Sequence, residues 1–120
     1  MACFFMLKYK QKLGAWGELV AKNHYQKLGY QLLAQNFYTR YGELDLVLKK
    51  NNKILVVEVK TRTSQKFGFG EESVSQKKLQ NIYKAWNIFK VQNSLNQFCD
   101  IEICVIEKKN NASYLQRFLI

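Results

Sequence analysis

The chain has 120 residues, room for one domain that buries about two thirds of the surface its unfolded form exposes. With 48% hydrophobic and 23% charged residues, it has the composition of a folded protein rather than a disordered one. Nineteen Lys and Arg against nine Asp and Glu leave a formal net charge of +10. Such a field draws polyanions, and on charge alone nucleic acid stands beside an anionic membrane and simple solubility.

The first residues, Ala2-Cys3-Phe4-Phe5-Met6-Leu7, are apolar but too short to span a bilayer. They lack the flanks of a secretory signal, so a cytoplasmic chain without an anchor is expected. Cys3, Cys99 and Cys104 match no zinc-ligand spacing and read as reduced thiols, with Cys99 and Cys104 on opposite faces of one strand. Residues 11–28 predict a helix whose apolar stripe is Leu13, Trp16, Val20, His24 and Leu28, ended by Gly29. His24 is the only histidine and has no second imidazole to share a metal, so it reads as a core-edge or satisfied histidine rather than a ligand.

Residues 31–39 predict an edge strand, and residues 43–50 and 53–62 alternate with period two around Asn51-Asn52, the pattern of a β-hairpin. Residues 64–72, with Gly68 and Gly70, match neither period and predict a loop. Ser73-Val-Ser-Gln76 has the form of a capping box, opening a second helix to about Asn93 with Leu79, Ile82, Trp86 and Phe89 as packing residues. Residues 98–107 alternate as a strand, and residues 114–120 form a short apolar end able to pair as another. The order α-β-β-β-α-β-β predicts an α/β fold: one domain spanning residues 1–120, with a central mixed sheet flanked by helices.

A two-residue turn at Asn51-Asn52 fixes the hairpin register by setting Lys50 opposite Lys53. Leu44 then faces Val59, Leu46 faces Val57 and Leu48 faces Leu55, an apolar face suited to burial. The other face places Asp45 opposite Glu58 and Glu43 opposite Lys60. Two carboxylates so placed repel unless something neutralises them, and a hard divalent cation would do so. Glu58 and Lys60, two apart on one strand, share a face, so an ammonium joins the acids. The same residues also fit a solvated polar face with a surface ion pair.

Gly42-Glu43-Leu44-Asp45-Leu46 and Val57-Glu58-Val59-Lys60-Thr61-Arg62 closely resemble the paired signature of the YraN-like family of small bacterial proteins. By similarity that family falls in the PD-(D/E)XK, or restriction-endonuclease-like, superfamily. Gly14-Ala-Trp-Gly-Glu18-Leu-Val-Ala21 looks like its first-helix motif, and Val74, Lys78, Ile82 and Ala85 look like its second. Leu44 stands where the superfamily label has proline.

The resemblance implies a restriction-endonuclease-like core. It makes Asp45 and Glu58 metal-binding carboxylates, Lys60 the catalytic lysine and the Val59 carbonyl a further ligand. Glu18 resembles the helix glutamate of archaeal Holliday-junction resolvases and joins the catalytic set, with Glu43 and Lys78 as accessory groups. The expected activity is Mg²⁺- or Mn²⁺-dependent endonucleolytic cleavage of DNA, branched or recombining DNA by analogy with resolvases, and the expected assembly by the same analogy is a homodimer. The alternative is a non-catalytic DNA-binding accessory of recombination or DNA uptake that keeps the fold. A membrane-surface role is disfavoured, since no basic amphipathic helix with a large apolar face is evident.

Overall fold

Two Asn-Asn turns shape the sheet. The computed structural model describes residues 2–63 and 74–120, with side chains from residue 7 onward. In it Asn51 and Asn52 adopt φ of 53° and 63°, and Asn110 and Asn111 adopt 50° and 63°. Left-handed backbone at both central residues gives a turn whose twist matches the strands it joins. The second turn carries the same Asn-Asn signal as the first.

The elements run α1 (Ala2–Lys27), β1 (Gln31–Thr39), β2 (Gly42–Lys50), β3 (Lys53–Arg62), α2 (Gln76–Gln92), β4 (Cys99–Lys109) and β5 (Ala112–Leu119). They form a five-stranded sheet in the order β1-β2-β3-β4-β5. Every neighbouring pair is antiparallel except β3 and β4, which are parallel and need the crossover that α2 provides. The fold is α/β with a mixed sheet and two helices, compatible with the restriction-endonuclease-like core the sequence implied.

Helix α1 covers one face of the sheet, where Ala21 and Tyr25 meet Leu46, Leu48, Leu55, Val57, Cys104 and Ile106. Helix α2 covers the other, where Ile82, Ala85, Trp86 and Phe89 meet Leu44, Val47, Ile54, Val56, Cys99 and Ile101. Trp86 and Phe89 are packing residues as expected, stacked at 5.7 Å, with Phe37 edge-on to Phe89 at 5.0 Å. Cys99 and Cys104 lie in opposite cores as free thiols, and burial pushes them up to about 12 and about 11.

Three sequence expectations need correction. Helix α1 starts at Ala2, well before residue 11, and its buried stripe is Gly17, Ala21 and Tyr25, one position round from the predicted one. Small residues carry that stripe: a Cβ on Gly17 would lie 1.9 Å from Thr61 Oγ1, so α1 approaches β3 more closely than any side chain allows. Helix α2 is capped by Ser75, not Ser73; the Ser75 hydroxyl accepts the Lys78 N–H at 3.1 Å. His24 lies half-buried at the core edge as expected, edge-on to Tyr25, but its buried Nε2 has no partner among the described residues, and burial, then the Arg117 charge, lowers its pKa.

The end of α1 is as expected. Gly29, with φ 96°, donates to Gln26 O at 3.0 Å and Tyr30 N–H reaches Tyr25 O at 3.0 Å, the paired bonds of a Schellman cap. The predicted loop at 64–72 lies outside the described residues.

Candidate active site

The hairpin register holds for five pairs, Lys50↔Lys53 through Leu46↔Val57, and the pairing then ends. Strand β2 continues against β1 as far as Thr39↔Gly42, while β3 continues against β4 as far as Arg62↔Glu107. The two strands therefore fork. In place of the expected Asp45–Glu58 pair, Asp45 Oδ2 accepts the Val59 N–H at 2.8 Å, so a side chain fills the place of a main-chain acceptor.

The alternation of β2 slips at the same point. Leu44 and Val47, three positions apart, pack in the α2 core, whereas Leu46 and Leu48 pack in the α1 core. A regular strand would set Leu44 with Leu46, as the sequence reading did, so that apolar face is corrected at Leu44. Strand β1 slips in step: Ala34 and Phe37 both pack against the α2 core, and Asn36 between them takes φ 53°. Asn36 and Asp45 lie between the Gln35↔Leu46 and Phe37↔Leu44 pairs, and the β1–β2 register shifts between Leu32 and Ala34, the mark of a bulge in β1.

This geometry gathers Glu18 from α1 with Glu43 and Asp45 from β2. One carboxylate oxygen from each lies within 4.8 Å of the other two. Burial raises the Asp45 carboxyl to about 7, helped by the Glu58, Glu43 and Glu18 charges and opposed by the Val59 hydrogen bond. Burial also raises Glu43, followed by the Glu18 and Glu58 charges, with Lys78 pulling the other way.

Glu58 stays outside that trio. Its Oε1 pairs with Lys78 Nζ of α2 at 3.3 Å, while its charge still acts on both Asp45 and Glu43. Glu58, Lys60, Val74, Ser75 and Lys78 line a cavity of about 440 Å³ beside the fork. In a strand one residue's N–H and C=O point to the same side, so the Val59 N–H that meets Asp45 leaves the Val59 carbonyl on the fork side as well. All the predicted residues thus border one fork, but the tight trio is Glu18, Glu43 and Asp45. Glu43, expected only as an accessory group, is one of its three members.

A second polar cluster escaped the sequence reading. Arg117 on β5 donates to Glu102 through Nε at 2.7 Å and Nη2 at 2.8 Å, and Tyr25 Oη donates to Glu102 Oε1 at 2.8 Å. The guanidinium also lies 4.7 Å from the Tyr25 ring centroid. A signal existed for part of it: the β4–β5 register sets Cys104 opposite Arg117, one diagonal step from Glu102.

Residues 17–108 match the model of a family described as uncharacterised protein family UPF0102. A UPF0102 protein of Syntrophomonas wolfei is 52% identical over 75 residues, 62% of this chain and 65% of that protein. One from Alkaliphilus oremlandii is 35% identical over 112 residues, 88% of this chain and 96% of the relative. A third, from Clostridioides difficile, is 37% identical over 102 residues, covering 82% and 90%. The matched span includes every residue of the fork.

Proposed function

The chain belongs to the UPF0102 family, and from that premise we propose that it is a metal-dependent endonuclease of PD-(D/E)XK type that hydrolyses DNA phosphodiester bonds. One observation carries the reading: Glu18, Glu43 and Asp45 converge within 4.8 Å at a strand fork, beside a cavity that Glu58 and Lys60 line.

The donor set fits a hard cation. It consists of carboxylate oxygens with a backbone carbonyl nearby, the ligands that Mg²⁺ and Mn²⁺ prefer. Burial and three like charges penalise the ionised form of Asp45, and a bound cation would offset that penalty. Asp45, Glu58 and the Val59 carbonyl would hold the ion, with Glu18 and Glu43 supplying further oxygens directly or through water. A bound divalent cation would lower the pKa of a coordinated water and offset charge on the phosphate.

The chain's own groups then have separable tasks. Lys60 lies on the face of β3 that carries Glu58, where its ammonium can orient the attacking water or stabilise the developing negative charge. Lys78 holds Glu58 in the metal-free protein and brings a second positive charge to the cavity, placing a phosphate against the acids. The net charge of +10 gathers the polyanion over longer range.

The test is a cleavage assay on linear duplex, single-stranded, flap and four-way-junction DNA with Mg²⁺ and with Mn²⁺, wild type beside Asp45→Ala. Cleavage by wild type alone is expected. Equal activity in both proteins would identify a contaminant, and no cleavage of any of the four DNAs would remove the catalytic reading. One observation favours a non-catalytic DNA-binding accessory instead: the Glu58–Lys78 ion pair already occupies a carboxylate the chemistry needs. That reading predicts DNA binding with no cleavage to lose.

A further inference from the structure

Tyr38 of β1 is the cross-strand partner of Glu43. Opposed residues of an antiparallel pair share a face with Cβ atoms about 5 Å apart, so Tyr38 shares the sheet face of Glu43, one member of the carboxylate trio. It is 74% exposed, beside a half-buried charge cluster. Among the described residues no ring or cation packs on it.

The neighbouring tyrosine differs. Tyr41, across the β1–β2 turn, has the Arg40 guanidinium 4.9 Å and the Lys84 ammonium 5.1 Å from its ring centroid. The turn is held by Thr39 Oγ1, which donates to Gly42 O at 2.8 Å and accepts the Tyr41 N–H at 3.1 Å. Cations thus cover one tyrosine of this turn while the other, on the acid side, presents its face to solvent.

We propose that Tyr38 is a stacking platform for an unpaired base of the DNA strand at the fork, with Arg40 and Lys84 engaging the phosphates that flank it. The substrate class is therefore DNA with single-stranded character next to the scissile phosphate, such as a flap or a branch point, rather than continuous duplex. In a duplex each base face is already stacked, so an exposed ring gains nothing; an unpaired base gains a full stacking partner whatever its identity. The proposal rests on the nuclease reading for its scissile phosphate, but its test reads binding and base stacking.

The experiment uses the whole protein without divalent metal and measures fluorescence anisotropy on a continuous duplex and on a flap of equal length. The flap carries 2-aminopurine at the first unpaired position. Wild type, Tyr38→Phe and Tyr38→Ala are compared, each checked by thermal melting. Wild type and Tyr38→Phe are expected to prefer the flap and to quench 2-aminopurine. Tyr38→Ala is expected to lose about ten-fold on the flap, to lose the quench, and to bind duplex unchanged. Equal affinities of all three proteins for the flap, or an equal loss by Tyr38→Ala on both DNAs, overturns the assignment. Wild-type cleavage that Asp45→Ala abolishes, alongside such a result, would leave the nuclease reading standing and sink only this one. A Tyr38-dependent flap preference without cleavage would do the reverse.

Discussion

The sheet buries carboxylates in two places and treats them in opposite ways. Glu102 receives three hydrogen bonds, two from Arg117 and one from Tyr25; burial pushes its carboxyl up, but these bonds and the Arg117 charge outweigh it and hold it below the ordinary value. Asp45 receives one hydrogen bond, from Val59, and faces three other carboxylates; burial and those charges raise it to about 7. A satisfied acid ties β4, β5 and α1 together and asks for nothing more. An under-compensated acid at a fork costs stability unless a further positive group arrives, and that is why the proposed cation is assigned to the fork and not to the Glu102 cluster.

The sharpest break in that comparison is Glu58→Gln. It keeps size and hydrogen-bonding capacity, removes one charge acting on Asp45, and frees Lys78. Cleavage is expected to fall at least about a thousand-fold, since the site loses both cation affinity and water activation. DNA binding without metal should persist or strengthen, because a charge that repels phosphate is gone. Cleavage at the wild-type rate would show that Glu58 has been given the wrong task.

The two acids should also pull stability in opposite directions with pH. Asp45 has a folded pKa of about 7 against an ordinary 3.8, so between those values the folded state binds more protons than the unfolded one. Its contribution is fully present below the ordinary value and is lost as pH rises through about 7, on the order of 4 kcal/mol in the metal-free protein. Glu102, with a folded pKa below the ordinary value, contributes above that value and loses its contribution as pH falls through the folded one. Urea midpoints across this range in the presence of chelator should therefore fall from acid to neutral pH in wild type and flatten in Asp45→Asn. An unchanged slope in Asp45→Asn would mean that the fork stores no such repulsion.

Arg117→Ala tests the satisfied cluster. Removing the guanidinium leaves the Glu102 carboxylate largely buried with only Tyr25 Oη, at a cost of about 2–3 kcal/mol. Because the fork is untouched, metal-dependent cleavage at a temperature well below melting should change little. Denaturant unfolding followed beside activity checks both; a large loss of cleavage with intact folding would show the two regions coupled.

Strand boundaries were legible because each strand announces itself in consecutive residues: period two in β2 and β3, and a turn at Asn51-Asn52 that sets the register as far as Leu46↔Val57. The fork was not, because the register rule assumes that main-chain pairing continues, and nothing in Leu44-Asp45-Leu46 says that a side chain takes the place of the ladder. The buried stripe of α1 was misread by one position for a similar reason. Periodicity scores large apolar side chains, whereas Gly17 and Ala21 mark a face by being small. The Glu102–Tyr25 bond joins residues 77 apart, a distance at which no local pattern speaks. The candidate acids themselves were all named from the sequence, Glu43, Asp45 and Glu58 through the hairpin register and Glu18 through the resemblance of its motif; their division into a tight trio and a separate Glu58–Lys78 pair is a product of the fork.

That small-residue face supplies the last and mildest test, Gly17→Ala beside Gly14→Ala. Both substitutions lie within α1 and raise helix propensity by up to about 1 kcal/mol. A Cβ on Gly14 meets nothing within 4 Å, so that variant should gain roughly this much stability and cleave normally. A Cβ on Gly17 would lie 1.9 Å from Thr61 Oγ1 and 3.0 Å from Thr61 Cβ, so either Thr61 turns away or α1 lifts from the sheet. Such overpacking costs about 1–3 kcal/mol, which leaves Gly17→Ala about 1 kcal/mol less stable than wild type after the propensity gain. Thr61 sits on β3, paired along its length to β4, so the helix is the more mobile partner and carries Glu18, the next residue, with it. A displaced Glu18 should raise the Mg²⁺ concentration needed for half-maximal cleavage while leaving the fold intact. Trimming the obstacle in the double variant Gly17→Ala with Thr61→Ala should recover part of both losses, because the hydroxyl and methyl that meet the new Cβ are gone. If Gly17→Ala matches Gly14→Ala in melting temperature and in metal requirement, close packing of α1 on Thr61 does not position Glu18.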